Sequence, residues 1–237
     1  MGRIFVFSGA GLSVESGIPA FRVGKDALWN GADPEIVCDY LTWKSHPEFD
    51  DQVHSFYDAG RKALKDIKPN IGHEIIADWS NKYGATLLTQ NVDDLLERAG
   101  AHQGSVRHIH GFLPEVVCSG CGKITNIGYK SLKEAKVDHE HGCPGGRIKP
   151  NVVFFHEMAP EYITLDCIIS GLTEEDTFIV VGTSFSVVQI DVFLASTPCR
   201  KILVDIADNS TIPHIWNEKY LEPATSGLVK LNSRLFQ

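Results

Sequence analysis

The first eleven residues place the strongest constraint on the fold of this chain. Ile4–Phe7 is an unbroken run of apolar, strand-forming residues, which is typical of a strand buried on both faces. The run ends at Ser8–Gly11 (S-G-A-G), where small side chains let the backbone approach a ligand closely. A helix that starts here presents free N–H groups and a positive dipole end, which favour a pyrophosphate. The opening stretch therefore predicts a nucleotide-binding turn.

A glycine-rich turn is a weak signal by itself, because plain turns have the same composition. The dehydrogenase fingerprint G-x-G-x-x-G also fails here, since its third glycine would stand at Val14. The next residues are more specific: positions 16–22 read S-G-I-P-A-F-R and place an aromatic ring and a cation just after the turn.

Positions 9–22 resemble the signature of the sirtuins, NAD-dependent protein deacylases, which reads G-A-G-x-S-x-x-S-G-I-P-x-F-R. The resemblance implies that this stretch binds NAD. The residues that it assigns to the cofactor are Gly9, Ala10, Gly11, Ser13, Ile18, Phe21 and Arg22.

Composition limits the function classes. At 237 residues the chain is long enough for one α/β domain with a small insertion. Its formal charge of −8 argues against direct nucleic-acid binding. No apolar run approaches membrane-spanning length. Six cysteines without a secretory signal indicate a reducing compartment, and we expect the cytoplasm.

Buried-strand patterns recur along the chain with helical segments between them. This alternation favours an α/β fold, a doubly wound parallel Rossmann-like sheet. The further strand candidates are residues 86–90, 106–109, 152–155, 177–181 and 201–206.

Two segments interrupt this pattern. Residues 24–76 are helical and polar, and residues 118–146 are rich in Gly, His and Cys with little periodicity. We expect a small inserted helical module and a zinc-binding module that together form a small domain. The expected boundaries are 1–30, 77–115 and 148–237 for the NAD-binding domain, and 31–76 and 116–147 for the small domain.

Polar residues follow several strand candidates, so their loops can converge on one crevice at the carboxyl edge of the sheet. Thr89–Asp93 resembles the sirtuin T-Q-N-I-D motif, although Asn and Asp at such a junction also commonly cap a helix. The resemblance implies that Gln90, Asn91 and Asp93 bind the nicotinamide ribose and hold the nicotinamide end.

His110-Gly111 resembles the family's catalytic H-G pair, although a histidine at a strand end is also often structural. An imidazole titrating near neutrality is a natural acceptor for a ribose hydroxyl proton. The resemblance implies that the acyl oxygen of an acylated lysine attacks the anomeric carbon of the nicotinamide ribose and nicotinamide leaves. His110, with Asn91 and Asp93, then helps a ribose hydroxyl attack the imidate. The products are free lysine, nicotinamide and O-acyl-ADP-ribose.

Gly182-Thr183-Ser184 resembles the sirtuin G-T-S loop, which holds the phosphates and the adenosine ribose. Asp205 stands near the position where the family usually has Asn. A carboxylate there accepts hydrogen bonds from both ribose hydroxyls, so Asp205 is a further cofactor candidate.

Cys118-Ser-Gly-Cys121 has the spacing of a zinc knuckle. The family supplies a second cysteine pair before a G-G-x-L-R-P-like run, which residues 145–150 match here, and Cys143 lies just before that run. His141 falls where the other cysteine is expected, with His139 close by. We expect zinc on Cys118, Cys121, His141 and Cys143; a metal-free module is the alternative.

Residues 150–157 resemble R-P-x-V-V-x-F-G-E, a stretch whose backbone pairs with the acyl-lysine peptide as an added strand. The implied substrate contacts are Val153, Phe154 and Phe155. His156 replaces the usual glycine, and a positive φ at that glycine would imply an altered loop here.

The acyl preference depends on Tyr57. Some sirtuins carry a Tyr-x-x-Arg pair that binds acidic acyl chains, and the small Ala20 is typical of that group. Here Gly60 stands at the arginine position, with Arg61 one residue further on. A shift of one residue rotates a helical side chain by about 100 degrees, so Arg61 points elsewhere. We therefore expect a deacetylase with weak or absent desuccinylase activity.

Two other functions remain open from the sequence. An NAD glycohydrolase or ADP-ribosyltransferase would use the same NAD loops without a peptide groove. A non-catalytic NAD-binding module would not need Asn91, Asp93 and His110. The expected partner is an acylated-lysine protein or peptide, with no direct nucleic acid and no membrane.

Overall fold

A six-stranded sheet organises the chain in a computed structural model that describes residues 2–19, 31–137, 143 and 146–235. Nine strands form within these described residues. They are β1 (Ile4–Ser8), β2 (Thr86–Thr89), β3 (Val106–His108), β4 (Gly111–Cys118), β5 (Ile124–Asn126), β6 (Ile148–Val152), β7 (Thr177–Val181), β8 (Arg200–Asp205) and β9 (Glu218–Leu221).

Helices connect these strands. They are α1 (Gly11–Val14), α2 (Pro34–Val37), α3 (Tyr40–Ser45), α4 (Asp50–Leu64), α5 (Ile71–Tyr83), α6 (Leu95–Arg98), α7 (Leu132–Ala135), α8 (Glu161–Ser170), α9 (Ile190–Leu194) and α10 (Ala224–Leu235). A short 3-10 turn at Pro47–Phe49 precedes α4. Within the described residues, no helix has the length and apolar character needed to cross a membrane.

The main sheet has the strand order β3-β2-β1-β7-β8-β9, and all of its pairs are parallel. The chain moves outward from β1 to β3 on one side and resumes at β7 on the other. The order therefore reverses between β1 and β7, which is where ligands bind in doubly wound sheets. The predicted fold class is confirmed.

β1 is buried on both faces, as its unbroken apolar pattern predicts. Successive side chains of a strand point to opposite faces. Ile4 and Val6 pack in a cluster with α5 and α10, whereas Phe5 and Phe7 pack in a second cluster with α8.

A second, antiparallel sheet has the order β5-β4-β6. It packs with α4 in a third cluster that contains Val53, Tyr57 and Phe154. The apolar run from residue 152 was expected to be a strand beside the long strands of the NAD-binding domain. Val152 instead ends β6, which pairs with β4, and residues 153–155 follow that strand.

The expected domain boundaries cut through two elements. The boundary at 76/77 lies inside α5, whose Ile75, Ile76 and Trp79 pack in the cluster of the main sheet. β4 crosses the boundary at 115/116, and β6, which begins at the boundary at 148, pairs with β4 in the second sheet. We propose a division in which α5 joins the main-sheet domain and β4, β5 and β6 join α2, α3 and α4 in the small domain.

Asp176 ties the first strand to the loop before β7. Its carboxylate accepts hydrogen bonds from the Arg3 backbone N–H (2.9 Å) and Nη2 (2.6 Å), and from the Thr173 N–H (2.8 Å). Asp176 is almost fully buried. The hydrogen bond from the Arg3 guanidinium is the main reason why the pKa of this carboxyl lies well below its ordinary value of 3.8.

We expect Asp176→Asn to lower the free energy of unfolding by about 2 kcal/mol near pH 7, since it removes the ionised acceptor of these bonds. The pKa of Asp176 is lowered in the folded state, so its stabilisation is present above the ordinary value of 3.8 and is lost as pH falls below it. Urea unfolding of both proteins at neutral and acidic pH measures this. A difference that stays constant into acid would contradict the assignment.

Candidate active site

The turn after β1 and the turn after β7 lie in direct backbone contact at the carboxyl edge of the sheet. The Gly11 N–H donates to the Gly182 carbonyl at 2.9 Å. A Cβ on Gly9 would lie 2.7 Å from the Gly182 oxygen, and one on Gly11 would lie 2.6 Å from the Gly182 Cα. Gly182 has φ 60°. These glycines let the two turns meet without side chains between them.

The hydrogen bonds of the turn after β1 differ from those expected from the sequence. The helix that follows has only four residues, and its Ala10 N-cap makes no side-chain capping bond. The N–H groups of Gly9 and Gly11 already donate to the Val181 and Gly182 carbonyls. The expectation that a helix start leaves these N–H groups free for a pyrophosphate is therefore wrong for these two residues.

Ser13 joins the first turn to the loop after β2. Its hydroxyl donates to Asp93 Oδ2 at 2.9 Å and accepts a hydrogen bond from Asn91 Nδ2 at 3.1 Å. Asn91 Nδ2 also donates to the Gly9 carbonyl at 3.1 Å. Burial raises the pKa of Asp93. Three predicted site residues thus form one polar network beneath the edge of the sheet.

His73 supports this network, and sequence reasoning missed it. Its Nδ1 accepts the Asn70 backbone N–H at 3.2 Å, so the proton of the neutral ring is on Nε2, which donates to Ser13 Oγ at 3.3 Å. Burial lowers the pKa of His73 to about 4, which keeps the ring neutral. The available signal was Asn70, the N-cap of α5, whose capping box includes His73.

The loop after β2 also reaches the loops after β7 and β3. Gln90 Nε2 donates to Thr183 Oγ1 at 3.1 Å, and the Gln90 carbonyl lies 3.2 Å from His110 Nδ1. Because a carbonyl only accepts, Nδ1 carries the proton and the lone pair of neutral His110 is on Nε2. Burial lowers the pKa of His110. A neutral imidazole with its lone pair on Nε2 is the state required of a general base.

The far side of the edge carries the other cofactor candidates. Ser184 is exposed, and its hydroxyl shares a 2.6 Å hydrogen bond with Ser186. Asp205 ends β8 and is nearly buried, and burial raises its pKa despite hydrogen bonds from backbone N–H groups, including that of Thr183. The turn after β7 thus lies between the network around Ser13 and this carboxylate.

Three predicted metal ligands lie together. The Sγ atoms of Cys118, Cys121 and Cys143 are all within 4.8 Å of one another, and the Cys118–Cys143 pair is 3.6 Å apart. Tetrahedral zinc with Zn–S bonds of about 2.3 Å places sulfurs about 3.8 Å apart. A Cβ on Gly146 would lie 2.5 Å from Cys118 Sγ, and one on Gly120 would lie 2.6 Å from Cys143 Sγ. The glycines leave space for the sulfurs, and the donor set fits zinc.

Hydrogen bonds within the cluster favour one thiolate. The Cys121 backbone N–H is the main cause that lowers the pKa of the Cys118 thiol to about 7. The hydrogen bond with Cys118 raises the pKa of Cys143. A thiolate is the form that binds zinc.

The predicted peptide-binding segment is fixed by its own hydrogen bonds. The backbone N–H groups of Val153, Phe154 and Phe155 donate to the His110 carbonyl, the Glu157 carboxylate and the Cys38 carbonyl, respectively. Phe154 is buried and stacks on Tyr57, while Phe155 is about half exposed. These three N–H groups are therefore not available to an added strand.

His156 keeps the backbone conformation that suits a glycine. Its φ is 62°, so the exchange of glycine for histidine has not removed the positive φ. Its Nδ1 lies 2.6 Å from Asp39 Oδ2, and Asp39 also caps α3. The hydrogen bond between these two side chains holds His156 in place.

Some predicted residues lie outside the described part of the chain. They are Ala20, Phe21, Arg22, His139 and His141. Ile18 is described; it is half-buried, and its N–H donates to the Ser13 carbonyl at 3.2 Å.

Comparison with known proteins agrees with this geometry. The family model described as the Sir2 family matches residues 9–189. The chain belongs to the Sir2 family. This match extends from the first glycine turn to the segment after β7, so it includes every loop of the candidate site described above except the end of β8.

Full-length relatives and solved structures extend the Sir2 match. An NAD-dependent protein deacylase of Helicobacter hepaticus is 36% identical over 263 residues, which cover 100% of this chain and 98% of the relative. One from Campylobacter jejuni is 38% identical over 234 residues, covering 98% and 94%. A crystal structure of a Sir2 homologue–NAD complex aligns with a TM-score of 0.80 at 30% identity, covering 98% of this chain and 89% of that chain.

We expect one zinc ion per chain in the purified protein, measured by atomic absorption. Cys118→Ser should lose the zinc and lower Tm by roughly 5–10 °C, because metal binding contributes directly to folding. Cys167→Ser is the matched control, since Cys167 is an exposed cysteine on α8 outside the cluster. Retention of zinc by the Cys118 variant, or equal loss in the control, would exclude the assigned site.

Proposed function

We propose that this Sir2 chain is an NAD-dependent protein-lysine deacylase that prefers acetyl-lysine. The observation that carries the proposal is that the loops after β1, β2 and β3 meet at one edge of the main sheet: Asn91 and Asp93 bond to Ser13, and His110 contacts the Gln90 carbonyl. The relatives from Helicobacter and Campylobacter named as NAD-dependent protein deacylases support the same activity.

In this proposal NAD is bound by the turns after β1, β2 and β7 and by the end of β8, and it supplies the ribose that receives the acyl group as nicotinamide leaves. Gly9, Ala10, Gly11 and Gly182 admit the phosphates by the absence of large side chains. Asn91 and Asp93 are held by Ser13, and their fixed amide and carboxylate orient the nicotinamide ribose. The adenosine ribose is assigned to Thr183, Ser184 and Asp205.

His110 is the proposed general base. Its Nε2 lone pair takes the proton of a ribose hydroxyl as that hydroxyl attacks the acyl carbon. The Gln90 carbonyl at 3.2 Å from Nδ1 fixes the tautomer and stabilises the imidazolium that forms. In this proposal the network of Ser13, Asn91 and Asp93 positions the ribose, and the imidazole of His110 accepts the proton.

The acylated peptide is the proposed partner, held beside the loop after β6. Since Val153, Phe154, Phe155 and Glu157 use their N–H groups internally, we propose that the peptide is held mainly by contact with the exposed side chains of Phe155 and Met158. The net charge of −8 favours a basic protein substrate over nucleic acid.

We propose that zinc is a structural ion, held by Cys118, Cys121 and Cys143 with His141 as the fourth ligand. We further propose that the protein works in the cytoplasm. All six cysteines lie among the described residues and none of them forms a disulfide, which suits a reducing compartment.

The test measures nicotinamide release and deacylation of an acetyl-lysine peptide in parallel. We expect a one-to-one ratio, and a loss of about 100-fold or more in His110→Ala, the effect of removing a general base. His102→Ala is the matched control, because His102 is an exposed histidine near the start of β3. Nicotinamide release without any peptide would indicate a glycohydrolase or transferase. NAD binding without turnover would indicate a non-catalytic module.

The acyl preference gives a second prediction. Tyr57 is buried with its hydroxyl 3.7 Å from Cys38 Sγ, and Arg61 is fully buried, donating to the Leu113 and Lys130 carbonyls. Arg61 therefore cannot take the place of an arginine at Gly60. We expect acetyl-lysine to be removed faster than succinyl-lysine in the wild-type protein.

We also expect Gly60→Arg to raise the succinyl-to-acetyl rate ratio by roughly tenfold, about the effect of one charge-assisted hydrogen bond. Position 60 is one turn from Tyr57, and a Cβ there meets only Leu113 Cδ2 at 3.6 Å. Ala59→Arg is the control, since it adds the same charge about 100 degrees around the helix. Equal ratios in the two variants would refute the assignment.

A further inference from the structure

Tyr162 contacts the proposed base and belongs to none of the motifs found in the sequence. Its hydroxyl lies 3.3 Å from His110 Nε2, and the two rings meet edge to face at 89° with centroids 6.1 Å apart. Because His110 Nδ1 carries the proton, Nε2 can only accept, and the Tyr162 hydroxyl is the donor. The contact therefore occupies the lone pair that a ribose hydroxyl needs.

The position of Tyr162 is set by the helix that carries it. Tyr162 lies in the first turn of α8, where its N–H donates to the Ala159 carbonyl. Leu165 and Ile169 follow at three and seven residues, on the same helix face. Both are buried in the cluster that also contains Ile109, the residue before the base. The core thus fixes the tyrosine and the histidine relative to each other.

We propose that Tyr162 is a positioning residue for the base: its hydroxyl holds His110 in the neutral state with Nε2 directed into the crevice, and it gives way to the ribose hydroxyl when NAD binds. This inference rests on the proposed deacylase function. No covalent bond forms or breaks at Tyr162. One O–H donor replaces another on Nε2, and the proton that later moves is that of the ribose hydroxyl.

The other groups near His110 remain in place when the Tyr162 hydroxyl is removed. The acidic groups of the neighbouring elements are Asp93 and Asp94 in the loop after β2 and Glu161 and Asp166 on α8, and Asp94 is paired with Tyr129 and Arg98. Asp93 acts on the pKa of His108, the other titratable group of this strand end. The pKa of His110 is lowered by burial, which a backbone carbonyl partly opposes.

The hydrogen bond from Tyr162 to His110 Nε2 determines the direction in which its removal changes the pKa of His110. A donor to Nε2 stabilises the neutral ring, because the protonated ring has no lone pair there. Tyr162→Phe keeps the aromatic ring, with its edge-to-face packing, and removes only the donor. We therefore expect the pKa of His110 to rise in Tyr162→Phe, by roughly half a unit to one unit for a hydrogen bond of ordinary strength.

The experiment titrates the ligand-free, full-length protein by NMR with labelled histidine, and His110→Ala assigns the resonance. Tyr83→Phe, which removes a hydroxyl from the partly exposed end of α5, is the matched control and should leave the titration of His110 unchanged. The acidic limb of kcat/KM for NAD, which reports the free enzyme, should move to higher pH together with the NMR titration. A structural role alone would lower the rate equally at every pH.

An unchanged His110 pKa in Tyr162→Phe overturns the inference, whatever the rate of the variant. An equal rise in the Tyr83 control overturns it as well. The titration needs no turnover, so it decides on Tyr162 even if the wild-type protein fails to release nicotinamide. That failure would count against the proposed function alone. The thermal midpoint, measured on each variant, confirms that a shift comes from folded protein.

Discussion

The site depends on one backbone contact, the hydrogen bond from the Gly11 N–H to the Gly182 carbonyl at 2.9 Å. It joins the turns of two neighbouring parallel strands where the strand order reverses, and no side chain larger than hydrogen fits between them. With these turns joined, Ser13 lies beside Asp93 and Thr183 lies beside Gln90. The glycine contact thus brings together residues that are up to 93 positions apart in the sequence.

Two histidines with lowered pKa values, the buried His73 and the half-buried His110, serve different purposes around this contact. His73 accepts from a backbone N–H and donates to Ser13, so its neutral state supports the network below the edge. His110 donates to a backbone carbonyl and keeps its lone pair toward the crevice. In both rings the backbone selects the tautomer. The same residue type therefore acts as a structural donor in one place and as a base in the other.

The sequence predicts the parts of this arrangement that are local. Ile4–Phe7 reads as a buried strand because it has no polar face, and Cys118 with Cys121 reads as a metal knuckle because the spacing is short. His73 and Tyr162 were missed because their partners, Ser13 and His110, are 60 and 52 residues away. The pairing of β6 was also missed, since an apolar run does not say which sheet it joins. The division into domains that we propose differs from the one expected from composition for the same reason, because it assigns α5 by its packing.

The most direct test of this account is a crystal structure with an NAD analogue that cannot lose nicotinamide. The account predicts density along the carboxyl edge of the main sheet, with the nicotinamide ribose beside Asn91 and Asp93 and the adenosine ribose beside Ser184 and Asp205. It also predicts that a ribose hydroxyl replaces the Tyr162 hydroxyl at His110 Nε2. Density away from this edge, or a dinucleotide bound in the opposite direction, would contradict the claim that the joined turns form the cofactor site.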